Sequence, residues 1–247
     1  MIAKELFEAG RISEAAQALS NRLRDHPDDV AARTFLFELL CFQGEFTRAG
    51  KQLSVLADAS VESQMGAVVY YSALHAEETR HELFEKEAFP KGEAKSELAG
   101  KINGKPFSTI SDIDPDIGSR LEVFVAGAYT WIPFEHIASI HIDPPKRLRD
   151  TLWAPAFVLA GPSFKGQDLG EVLIPVVYPF SFKHPEADVV LGRTTAFGED
   201  SNGREVPSGH KILKADDDEI HLLEVRSIEF DPVVEAESED GPTEAEG

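Results

Sequence analysis

The chain has 247 residues, 42% of them apolar, and a formal net charge of −20. That length supports one large or two modest domains with a real core. The charge argues against binding a phosphate backbone or an anionic membrane surface, both of which need concentrated base, and leaves basic or apolar partners. The opening stretch MIAKELFEAGRISEAAQ is amphipathic and lacks the apolar core of a signal peptide. No apolar run approaches the roughly 20 residues of a membrane span. The one cysteine, Cys41, has no partner for an internal disulfide and reads as a small core residue rather than a nucleophile. A cytoplasmic protein is expected.

Residues 1–90 repeat themselves. Shifted by 34 residues, Leu6 falls on Leu40, Gly10 on Gly44, Ala15 on Ala49 and Leu19 on Leu53. This period resembles the tetratricopeptide repeat, a pair of antiparallel helices. Gly10 and Gly44 take the turn between the two helices, where φ > 0 is useful. Ala15 and Ala49 let the helices approach, and Pro27 ends the first pair. Helices are expected at about 2–9, 12–25, 29–43, 46–58 and 62–86. The fifth starts a third repeat and runs on, and its second half, HAEETRHELFEKE, is highly charged, with Glu78 and His81 read as part of a solvated helix face. Glu78 and His81 have the spacing of a di-iron motif, but such a site needs two motifs and two further glutamates. Two and a half repeats need a cap, so the C-terminal region is expected to pack on the fifth helix. The concave face of such arrays commonly holds an extended peptide or a helix.

Helical periodicity stops near Phe89-Pro90-Lys91-Gly92, placing a boundary between about 87 and 98. Asn103-Gly104 signals a hairpin with arms near 98–102 and 105–110. Leu121, Val123 and Val125 mark a strand, 129–132 its return, and 138–142 another. Strands continue through APAFVLAG, EVLIPVVYP and ADVVLGRTTAFG, with loops at Lys165-Gly166 and 200–210, and end in EIHLLEVRSIEF. The expected class is α+β: a helical domain at 1–90 and a β-rich domain at 91–231, for which a small SH3-like barrel is one suitable form. The tail at 232–247 holds six acids and no base and is expected to be disordered.

The densest stretch runs from Tyr129 to Val158. It holds both tryptophans, four prolines and the tightest basic group of the chain. Its apolar residues suit a buried core segment. Its bases suit internal pairing with some of the 44 acids, or contact with an acidic partner. The residues expected to meet a partner are Trp131, Phe134, Lys146, Arg147, Arg149 and Trp153. No catalytic residue, metal ligand or cofactor is assigned. His136 and His141 would point to opposite faces of a strand, and neither a G-x-S-x-G elbow nor a phosphate loop occurs.

Trp131-Ile-Pro-Phe-Glu-His, Pro144-Pro145 with Leu148-Arg149-Asp150-x-Leu152-Trp153, Tyr178-Pro, Leu191-Gly-Arg193 and Leu222-Leu-Glu-Val-Arg226 together resemble the ImpE family, also called TagJ. The resemblance covers roughly residues 1 to 230, with Phe197 where the family pattern has tryptophan. It implies an accessory protein of bacterial type VI secretion, non-enzymatic and cytoplasmic. By that resemblance such a protein binds the N-terminal helix of the small contractile-sheath subunit and influences sheath handling, with the AAA+ disassembly ATPase as a second expected partner. The residues themselves leave two alternatives: a hydrolase in the β-rich part with the repeats as docking arm, or a co-chaperone for another assembly.

Overall fold

A computed structural model describes residues 2–58, 61–92, 94–162, 164, 169–200 and 202–232. The expected acidic tail after Pro232 and the expected loop at Lys165-Gly166 lie outside the described residues. The helices are α1 (Ile2–Glu8), α2 (Ile12–Asp25), α3 (Val30–Phe42), α4 (Phe46–Ala57) and α5 (Val61–Glu85). Gly10 and Gly44 sit at the two tight turns with φ of +73° and +69°, a conformation costly for any residue with a Cβ. Ala15 and Ala49 are fully buried where the paired helices touch. Asp29 caps α3 by accepting from the Ala32 amide at 2.9 Å.

The remaining elements are β1 (Glu97–Ile102), β2 (Lys105–Asp112), β3 (Arg120–Val125), β4 (Ala128–Pro133), β5 (Ile137–Ile142), β6 (Trp153–Ala160), β7 (Gly170–Pro175), α6 (Ala187–Val190), β8 (Thr195–Glu199), β9 (Glu205–Gly209), β10 (Ile212–Ala215), β11 (Asp218–His221) and β12 (Ser227–Phe230). Among the described residues, ten strands form one sheet in the order β11-β10-β2-β1-β12-β5-β6-β7-β3-β4, with every pairing antiparallel. β8 and β9 form a separate ribbon. In place of a small SH3-like barrel, this larger sheet curls so that Phe107 of β2, Ile132 of β4 and Val158 of β6 share one core. Asn103 and Gly104, with φ of +50° and +80°, make the expected tight turn between β1 and β2.

Three stretches depart from expectation. ADVV forms one helical turn after Pro185 rather than a strand. The loop at 200–210 contains β9, paired with β8. EIHLLEVRSIEF breaks into β11 and β12 around a 3-10 turn at Leu222–Glu224. That turn buries Leu222 and Val225 together, and residues three apart share a side in a 3-10 helix but not in a strand.

Alternation along the strands builds two cores. Ala154 and Val123 point inside the curled sheet, and their neighbours Trp153 and Phe124 point out and join the core of the helices. The C-terminal half therefore packs on the helical array through the outer face of its own sheet.

Candidate functional site

The junction is held by charge. Arg80 of α5 donates from Nε to Glu122 Oε1 at 2.8 Å, and from Nη1 to Glu77 Oε1 at 2.9 Å and the Val177 carbonyl at 3.0 Å. Lys211 reaches Glu122 at 2.6 Å and also pairs with Asp112, which accepts from the Tyr178 hydroxyl at 2.7 Å. Trp153 Nε1 donates to Glu77 Oε2 at 3.0 Å. Burial works against the Arg80 charge, yet Glu122 and Glu77 more than restore it and its pKa rises. Burial would raise the pKa of Glu122, but Arg80 and Lys211 hold it down at about 2. Asp114, buried beside Asp112, is pushed up to about 6. His81 stacks between Phe46 and Phe180, and burial lowers it to about 4. The second half of α5 therefore has two sides: Glu78, Glu82 and Glu85 face solvent, while Glu77 and Arg80 are inside and His81 is largely covered. The spacing of Ala73, Ala76, Glu77 and Arg80 marks that buried face, and Glu122 between Leu121 and Val123 marks its partner.

Beside the junction lies a cleft of about 590 Å³. One wall is α5, where Val68 and Val69 are 60% and 50% exposed and line the opening. Met65, one turn earlier, is 71% exposed. The floor is the outer face of β6 and β7, carrying Pro155, Phe157 and Leu173. Phe157 is 49% exposed and sits in register between His141 of β5 and Glu171 of β7. The turn between β3 and β4 closes one end, with Gly127 against Ser72. Asp143 stands on the rim.

The repeat explains why the cleft is open here. Ser72 lies 34 residues after Glu38, so the two occupy equivalent positions on α5 and α3. Glu38 is covered: it pairs with Arg149 at 2.9 Å, and the Arg149 guanidinium lies 4.6 Å over the Tyr70 ring. Ser72 lines the cleft. The chain's own segment fills the position on α3, and among the described residues the next position along opens into the cleft.

The sequence-derived contact residues divide. Phe134 is 0% and Trp153 1% exposed, so neither offers area to a partner: Phe134 fills the sheet core and Trp153 anchors the helices. Arg149 is spent on Glu38, and Trp131 is half buried against Phe84 and Phe89. Lys146 and Arg147 are exposed, with Lys146 3.7 Å from Asp143 at the cleft rim. The apolar lining of the cleft was not singled out from sequence. Val68, Val69 and Phe157 look like ordinary core residues, yet among the described residues they stand about half exposed or more.

Three comparisons bear on identity. The ImpE protein family model matches residues 104–229, and a tetratricopeptide repeat model matches 6–69. A Pseudomonas aeruginosa protein named "Type VI secretion system accessory component TagJ" is 28% identical, covering 94% of this chain and 92% of that protein. A crystal structure of a Vibrio parahaemolyticus protein superposes with a TM-score of 0.81 at 20% identity, covering 95% of this chain and 99% of that one, and so shares the fold. With its β-rich half matched over more than half of the full length, the chain belongs to the ImpE protein family.

Proposed function

We propose that this chain is an accessory component of type VI secretion that works as a non-enzymatic adaptor. It holds the N-terminal helix of the small contractile-sheath subunit and influences sheath assembly or disassembly, alongside the AAA+ disassembly ATPase. Residues 1–90 serve as the helical domain and 91–231 as the β-rich domain that caps it. The likeness to TagJ along nearly the whole chain supports the setting. The observation that carries the binding role is the apolar cleft at the repeat position of Ser72, with exposed Val68, Val69 and Phe157. Contiguous exposed apolar side chains of this kind mark surfaces that meet a partner. Among the described residues no helix is long and apolar enough to cross a membrane, consistent with action in the cytoplasm.

Co-purification tests the reading. The tagged chain, mixed with the small sheath subunit of the same organism, should retain it. The same subunit lacking its N-terminal helix should pass through. Equal retention of both forms, or of neither, would contradict the proposal. A hydrolase or a co-chaperone for another assembly would retain neither.

A further inference from the structure

We propose that the cleft between α5 and the β6–β7 face is the docking site, and that its occupant is an amphipathic helix whose apolar stripe is edged with Lys or Arg. The inference rests on the adaptor reading and adds the place and chemistry of recognition.

The backbone decides for a helix over an extended peptide. An added strand binds through free main-chain groups at a sheet edge. The floor offers no open edge: β6 is paired along its length with β5 and β7, and β7 is flanked by β6 and by β3, which it meets at Leu173 and Phe124. An extended segment laid there would bury its own amides and carbonyls without partners, at considerable cost. A helix satisfies its backbone internally and binds by side chains alone. The α5 wall is made for one: Met65, Val68 and Val69 stand at i, i+3 and i+4 on one stripe. Phe157 and Leu159, two apart on β6 and both exposed, extend the apolar floor along the strand.

Charge decides the edges. Glu171 stands directly across β7 from Phe157. It is exposed and has no ion-pair partner among the described residues. Asp143 lies 3.8 Å from His141 and 3.7 Å from Lys146, loose contacts among three solvent-facing side chains. A bound helix that shields the floor meets two carboxylates at its border. Lys or Arg there gains attraction, and Glu or Asp is repelled. The net charge of −20 steers the same class of helix toward the chain. The chain's own tail, six acids and no base, has the wrong sign.

The test uses the full chain and three labelled probes: a synthetic amphipathic helix with a leucine stripe and Lys edges, the same helix with Glu edges, and the sheath subunit's N-terminal helix. Fluorescence anisotropy reads binding. The Lys-edged helix should bind at least tenfold tighter than the Glu-edged one. Glu171→Lys should narrow or invert that ratio. Phe157→Asp and Val68→Asp should each weaken the Lys-edged and sheath helices by tenfold or more. Both replaced side chains are about half open, so folding should survive, and circular dichroism checks it. If the sheath helix binds and the two aspartate variants leave it unchanged, the site is elsewhere and the docking inference falls while the adaptor reading stands. If the sheath helix fails to bind wild type at all, the adaptor reading falls. Should ultracentrifugation show a wild-type dimer that Phe157→Asp dissociates, the cleft is covered by a second copy and the inference is overturned.

Discussion

Arg80 of α5 and Glu122 of β3 meet as a two-pronged pair, Nε to Oε1 at 2.8 Å and Nη2 to Oε2 at 3.2 Å, between residues 42 apart in sequence. Both are 1% exposed. The pair joins the wall of the cleft to the strand whose next outward residue, Phe124, also lines it. The same contact therefore fixes stability and cleft width.

Removing one partner should be severe. Arg80→Met leaves Glu122 and Glu77 buried with one fewer counter-charge and should cost roughly 3–5 kcal/mol, read as a lower urea midpoint. Lys86→Met, just past the end of the same helix, loses an exposed pair with Glu82 and should leave the midpoint essentially unchanged. Equal effects would contradict the junction described here.

Asp114 should work against the fold at neutral pH. Its folded pKa of about 6 lies above its ordinary value of 3.8, through burial and the neighbouring Asp112. The folded state then holds a proton that the unfolded state releases, and stability falls as pH rises from about 4 to 6. Asp114→Asn keeps an acceptor for the Asp116 amide, which now donates at 3.0 Å. It should gain about 2–3 kcal/mol above pH 6 and nothing below pH 4, as measured by urea unfolding across pH.

His81 should act at overlapping pH with opposite sign. Its folded pKa of about 4 lies below its ordinary 6.5 because burial disfavours the charged ring, although Glu77 lies 3.4 Å away. The stability from burying it neutral is complete above pH 6.5 and is lost as pH falls toward 4. His81→Phe preserves the ring stack with Phe46 and Phe180. The variant should lose less stability than wild type between pH 6.5 and 4.

Two glycines of the helical array should respond in opposite directions to alanine. At Gly44, φ is +69° and a Cβ would lie 2.7 Å from the Phe182 ring. Gly44→Ala should cost more than about 2 kcal/mol, through backbone strain and a displaced contact with the sheet half. Gly66 sits exposed inside α5 with nothing near its missing Cβ. Gly66→Ala should gain about 0.5–1 kcal/mol. Thermal melts of the two variants check the contrast.

Local signals made much of this fold readable. The 34-residue offset of Gly10 and Gly44, with apolar stripes between, located all five helices to within a residue or two. Asn103-Gly104 located the first hairpin. What failed depended on partners distant in sequence. Arg80 looks as solvated as its charged neighbours because nothing nearby says that Glu122, itself paired with Lys211, will meet it inside. Trp153 looks like a presented aromatic until the outward face of β6 meets the helices. The cleft was harder still, since Phe157 and Val68 become a surface only through the order of strands and the place where the repeat stops being covered.

The most direct measurement is calorimetric titration of the full chain with a peptide of the sheath subunit's N-terminal helix, repeated at several temperatures. The account predicts micromolar or tighter binding with a negative heat-capacity change, the mark of apolar surface buried in the cleft. No heat at high micromolar concentration, with the peptide's helicity confirmed, would contradict it.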